Sequence, residues 1–214
     1  MRKIFIISFL LINTVVFSQK KVIKKFDTAV NEIEISTIGL DSFVIENSTS
    51  NFIEITLYAE NSNKQHIVFK SENKTAQLEF KISEIETEET VFRKFITKRL
   101  QRASASIKIP KGKKVTLFGE NIGIESKNYK GRLAIFIDKG IVKLNNIQDN
   151  TSVKMYSGNI YATIKNTNVS LISNIGKINI DDVLYEKTYK KKQAKSNKEL
   201  SVLSIKANIF LTTK

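Results

Sequence analysis

Read as a pattern of apolar and polar positions, the second half of this chain repeats every 18 residues. Leu117, Ile135, Val153 and Leu171 lie 18 apart, as do Ile124, Val142, Ile160 and Ile178, and a third column sets Gly140, Gly158 and Gly176 at the same interval. Within one period the apolar positions alternate: Leu133, Ile135 and Ile137, then Val142 and Leu144, then Ile147 at the turn. Alternation marks strands whose successive side chains point to opposite faces, so each period predicts two strands and a turn-side plug. One such unit cannot bury its apolar face alone and must stack on neighbours about 4.8 Å away, like side chain over like.

The expected fold class is therefore all-β: a single-stranded β-solenoid, parallel β-helix or β-roll like, with 18-residue coils at 115–132, 133–150, 151–168 and from Val169. Its aliphatic columns should form continuous interior stripes, and its glycines should mark a bend needing positive φ or close backbone approach. Ile122 takes the glycine's place in the first coil, so the bend there should differ. Left-handed hexapeptide helices are rejected because no aliphatic residue recurs every six positions. The alternative is an antiparallel β-sandwich with strands near nine residues, since spacing alone does not set strand direction. A register kept by every second strand favours the solenoid.

Before this repeat, residues 28–82 read as a β-meander, with apolar runs at Val30–Ile35, Phe43–Ile45, Phe52–Leu57, Ile67–Phe69 and Leu78–Ile82. Residues 84–102 break the pattern. Glu84, Glu86, Glu88 and Glu89 precede Arg93, Lys94, Lys98, Arg99 and Arg102, with Phe92, Phe95, Ile96 and Leu100 at helical spacing, which suits a short amphipathic helix or a charged hairpin loop. Pro110, the single proline, ends a strand and precedes the repeat. The fourth coil is interrupted by 186–198, after which Leu171 maps to Val202, Ile172 to Leu203, Ile178 to Ile209 and Ile180 to Leu211, a shift of 31. Since 31 − 18 = 13, a 13-residue Lys-rich insertion accounts for it, leaving a last coil that is uncovered or self-capping.

The first 18 residues read as an export leader: basic Arg2 and Lys3, an apolar run from Ile4 to Phe17, and small Ser18, with cleavage expected before Gln19. This divides the chain into a leader at 1–18, a meander and cap at 19–110 with the excursion at 84–102, and the repeats at 111–214 with the insertion at 186–198. The mature chain has no apolar run long enough for a transmembrane helix, and its expected location is the periplasm, the cell surface or the medium. Losing Arg2 and Lys3 takes the net charge from +14 to 14 − 2 = +12. Such a balance suits anionic glycans, lipopolysaccharide phosphates or an acidic envelope protein, while export disfavours nucleic acid. Absence of cysteine excludes disulfides, thiolate nucleophiles, thiolate metal sites and a lipid-anchoring cysteine.

The stretch Ile107-Lys108-Ile109-Pro110-Lys111-Gly112-Lys113-Lys114-Val115-Thr116-Leu117, followed by the turn Ser157-Gly158-Asn159-Ile160, resembles the "putative adhesin" domain family of exported bacterial proteins. The resemblance spans residues 28–214, and the Phe17-Ser18-Gln19 leader ending is similar to that of exported Bacteroidota proteins. It implies a β-solenoid of adhesin type and no catalytic residues or cofactor. The turn serine is kept only at Ser157, and Ile122 and Ala207 stand where glycine is expected.

Candidate chemistry is sparse. His66 is the one histidine, which rules out a His-based triad or a multi-His metal site within one chain. Asp181 and Asp182 read as turn residues, or else as paired carboxylates for calcium or acid/base work. Glu120, Asp138, Tyr156 and Asn174 form a column that does not supply repeat-linked calcium binding. The Asn73 and Asn150 sequons carry no glycosylation in a bacterial reading. The segment with most functional character is the insertion: Lys187, Lys190, Lys191, Lys192, Lys195 and Lys198, beside Tyr185 and Tyr189, read as a polyanion clamp or as a solvated loop. The expected function is a non-enzymatic, adhesin-like protein that presents its ladder face or basic loop to an envelope polymer or protein. The alternative is a polysaccharide lyase or hydrolase on the same scaffold.

Overall fold

Runs with an apolar residue at every second position become strands here because branched and aromatic side chains fit a pleated, half-buried surface. The computed structural model describes residues 20–27, 29–59, 62–72, 74–82 and 103–214, and in it they form one mixed sheet of 15 strands with no α-helix among the described residues. Before Pro110 lie β1 (Lys20–Asp27), β2 (Glu32–Ser36), β3 (Ser42–Asn47), β4 (Phe52–Ala59), β5 (Ile67–Glu72), β6 (Thr75–Phe80) and β7 (Ser104–Ile109). After it come β8 (Lys114–Lys127), β9 (Leu133–Asn145), β10 (Thr151–Ile164), β11 (Asn168–Ser173), β12 (Ile178–Ile180), β13 (Val183–Tyr185), β14 (Thr188–Lys191) and β15 (Glu199–Thr213). The export leader, the 84–102 excursion and Asn73 lie outside the described residues.

Strands β8, β9 and β10 run parallel, each paired to the next at an 18-residue offset: Leu117 to Ile135 to Val153, and Ile124 to Val142 to Ile160. This overturns the antiparallel sandwich for the repeat region. Alternation slips at Glu120 and Asn121 and again at Asp138 and Lys139, where consecutive residues both face solvent, so each long strand has two arms. At that bend Gly140 and Gly158 have φ of 142° and 129°. A Cβ on them would lie 1.8 Å from the Ile122 carbonyl oxygen and 2.0 Å from that of Gly140. Ile122 and Ala207, in the same column, instead bury their side chains. Return turns place Asn128 and Asn146 at φ of 55° and 58°, while Tyr129 and Ile147 plug the turn side.

Past β10 the order departs from expectation. The next strand in the sheet is β15, and only beyond it lie β11 and β12, all parallel. Val153 therefore meets Val202, which in turn meets Leu171, and Ile160 meets Ile209, which meets Ile178. The interior stripes contain the expected residues, but Leu171 does not lie on Val153. Nor is β15 an uncovered last coil: it is paired along both edges. The physical reason is that Val202 and Leu171 offer the same kind of side chain at equivalent positions, so a column's composition does not set the order of its members.

The first half joins the same stack. β2 and β3 pair in parallel with the two arms of β8, Ile35 on Leu117 and Phe43 on Ile124, and β6 and β7 lie in parallel beyond them. The expected meander is thus only partly present, because consecutive β2 and β3 pair with β8 rather than with each other. Antiparallel pairing is confined here to β1 on β4, β4 on β7, and β5 on β6. One interior column then runs Phe69, Leu78, Ile35, Leu117, Ile135, Val153, Val202, Leu171, Tyr189. Leu117, Ile135 and Leu171 in it are 0% exposed, and burial of each such side chain contributes roughly 1.5–3 kcal/mol.

Candidate binding surface

The Lys-rich insertion is built into the sheet at the far end of the stack. β14 pairs antiparallel with β11, setting Lys190 opposite Ser170 and Lys191 opposite Val169, while β13 pairs antiparallel with β12. The solvated-loop reading therefore gives way to a capping strand followed by a tethered turn. In that turn Ser196 donates through Oγ to the Asn166 carbonyl at 2.8 Å, and the Gln193 N–H donates to Asn168 Oδ1 at 2.8 Å. Lys187, Lys190, Lys191, Lys192 and Lys195 are exposed; Lys198 is half-buried, its Nζ donating to the Ile147 carbonyl at 2.8 Å.

Tyr185 and Tyr189 meet edge to face, ring centroids 4.7 Å apart, one ring from each arm. They lie opposite Ile178 and Leu171 and so close the end of the interior. Burial pushes the Tyr189 phenol up from its ordinary range, with Tyr185 and Asp181 adding to it. The structure thus brings the two tyrosines together, sets Lys190 and Lys191 beside them, and assigns Lys198 to a backbone carbonyl.

Asp181 and Asp182 take the turn role, with φ of 49° and 66°. The Asp181 carboxylate accepts the Thr213 N–H at 2.8 Å and also the Thr213 hydroxyl, which latches the end of β15. The Thr213 hydroxyl and then its N–H hold the Asp181 carboxyl below the usual range, with Lys191 adding a smaller pull. Among the described residues no three His, Asp or Glu side chains cluster in a way that would hold a metal ion. The half-buried His66 accepts the Asn63 N–H through Nδ1 within its own turn. Nor is any helix of the described residues long and apolar enough to cross a membrane.

Outward-facing columns carry contacts that no sequence motif marks. Phe118, Phe136, Lys154, Leu203 and Ile172 are register neighbours on one outer face, with the two phenylalanine rings stacked at 5.5 Å and Lys154 over Phe136 at 5.6 Å. On the other arm Tyr161 stacks on Phe210 at 5.0 Å, and Asn208 Nδ2 donates to Asn159 Oδ1 at 3.1 Å. Near the bend Lys206 sits 5.3 Å from the Tyr156 ring. The 18- and 31-residue offsets that find the interior columns find these as well, once shifted by one residue. Nearer the other end the outer face is charged: Lys25, Glu54, Lys108, Glu46 and Lys127 alternate in sign across five neighbouring strands. Glu54 pairs with Lys25 at 3.1 Å and Lys108 at 3.3 Å, and the Lys25 hydrogen bond is the main cause of its lowered pKa.

No protein-family model and no curated protein matches the chain. Solved structures do. A putative cell adhesion protein from Clostridium sporogenes superposes with a TM-score of 0.59 at 15% identity, covering 92% of this chain and all of the other. The chain has that protein's fold. Two further matches are a putative adhesin from Bacteroides fragilis, TM-score 0.38 at 10% identity over 92% of this chain and 99% of the other, and one from Parabacteroides merdae, TM-score 0.28 at 11% over 91% and 96%. The comparison of folds rests on the Clostridium protein.

Proposed function

We propose that this protein is an exported, non-enzymatic, adhesin-like β-solenoid that binds an anionic envelope polymer, a glycan or lipopolysaccharide, through its basic cap. The observation that carries this reading is the cap itself, where Lys187, Lys190, Lys191, Lys192 and Lys195 are exposed on an ordered strand and turn. Lysines held on a sheet end meet a polyanion with less ordering cost than lysines on a free loop. Lys198 ties the cap to the Ile147 carbonyl, and Tyr189 packs against the core behind it with the exposed Tyr185 ring at its edge. The fold shared with the putative cell adhesion protein of Clostridium sporogenes supports the same reading.

The test is titration with heparin and with lipopolysaccharide at several salt concentrations. Affinity should fall steeply as salt rises, since displaced counterions drive such binding. Replacing the five exposed insertion lysines, Lys187, Lys190, Lys191, Lys192 and Lys195, by glutamine should weaken binding several-fold or more with the unfolding midpoint near that of the parent. Unchanged affinity in a folded variant overturns the cap as the site.

A further inference from the structure

We propose that the position held by β15 is an acceptor slot that also takes the β15 strand of a second copy, so that the protein forms strand-exchanged dimers and open chains. The observation is the order of strands. β11, β12, β13 and β14 all precede β15 in the chain, yet they lie beyond it in the sheet. Assembly in chain order therefore leaves a gap one strand wide between β10 and β11 with β12, and β15 must enter it from outside. Both walls of the gap are preformed acceptors: β10 offers partners from Thr151 to Ile164, and β11 with β12 offers partners at 168–173 and 178–180.

The slot is specific for this strand. Leu200, Val202, Ser204, Ala207, Ile209 and Leu211 turn inward and are 0–2% exposed. The Ser204 and Ser173 hydroxyls bracket the bend, Ser204 accepting the Ala207 N–H and Ser173 donating to the Ala207 carbonyl. At its far end Asp181 latches Thr213. Every one of these contacts is the same whether the strand arrives from its own chain or from a neighbour. The choice is then set by effective concentration: the short 192–198 link favours its own chain in dilute solution, and a neighbour's strand competes as protein concentration rises. Reciprocal exchange closes a dimer, whereas one-way donation leaves an open slot and a free strand and so propagates.

The 214-residue sequence has no cysteine, which makes the test direct. Lys154 and Leu203 are register partners on the outer face. One variant of the chain carries Lys154→Cys, a second carries Leu203→Cys, and a third carries both. The double variant should form its disulfide within a monomer, which establishes that the substitutions fold and the register is as described. Co-refolding the two single variants should give a covalent heterodimer whose fraction rises in proportion to protein concentration, and should exceed the yield from Glu120→Cys mixed with Leu203→Cys, a pair that exchange does not bring together. Heterodimer no more abundant than that control at every concentration, with the intramolecular disulfide intact, overturns the proposal.

Discussion

The two ends of the stack solve one problem with different economies. A parallel stack exposes a row of unpaired backbone groups at each end, and both ends here reverse strand direction and set one aromatic ring from each arm over the last interior layer. Phe26 stacks on Phe69 at 4.2 Å at one end, and Tyr185 meets Tyr189 at the other. Phe69 and Tyr189 terminate the same column. The edges differ in length: β1 has eight residues and carries Lys20, Lys21, Lys24 and Lys25, whereas β14 has four and β13 only three, with β13 uncharged. Lysine fills half the positions of both β1 and β14, while β13 needs none, because a three-residue edge offers too few groups to template a foreign strand. Both ends also take a later strand inside earlier ones: β7 lies between β3 and β4, and β15 lies between β10 and β11 with β12, but β4 pairs with β7 antiparallel whereas β11 and β12 pair with β15 in parallel.

The insertion of β15 between parallel neighbours is most exposed to Ile209→Ala. Ile209 is fully buried with neighbours on both sides, so the change should lower unfolding free energy by about 2–5 kcal/mol in a urea titration. A loss under about 1 kcal/mol would mean that β15 is not held in a gap. Next come the caps. Phe69→Ala and Tyr189→Ala should each cost about 1–3 kcal/mol, since each also forfeits a ring contact worth about 0.5–1.5 kcal/mol, to Phe26 and to Tyr185. A cost near zero at either would mean that its ring does not close the end of the interior.

Smaller effects come from the charged groups. Asp181 titrates below its unfolded value of about 3.9, so the latch contributes fully above that pH and is lost as pH falls through the folded-state pKa. Asp181→Asn should therefore lower the urea midpoint at pH 7 and narrow the gap to wild type in strong acid. A gap that widens on acidification contradicts the latch. Glu54→Gln should be the mildest change, at most about 1 kcal/mol, shrinking with added salt because its partners are exposed.

The 18-residue register made the membership of every interior column in the repeat legible, and the 31-residue shift identified Leu171 with Val202 and Ile178 with Ile209 as true neighbours. Order along the stack was not legible, since strands of matching length and side-chain type are interchangeable until connections are drawn. The same ambiguity hid β2 and β3, whose spacing suits a meander as well as a split rung of the stack. At the cap, composition pointed to the lysines, but charge runs read as loops and gave no sign that Tyr189 would cover Leu171. Asp181 was recognisable as a turn residue; its grip on Thr213 depends on the insertion of β15 and leaves no trace in local sequence.

Ser152, Ser201 and Ser170 occupy one outer column, and they decide the order of strands with nearly isosteric changes. Disulfide formation is to be measured in three variants of the chain, each with two of these serines changed to cysteine. Bridging requires Cα atoms within about 7 Å, and neighbouring strands are about 4.8 Å apart. The structure predicts that 152 with 201 and 201 with 170 will bridge, and that 152 with 170, two strand spacings apart, will not. A bridge between 152 and 170 with none to 201 would place the fourth repeat directly on the third and contradict the account.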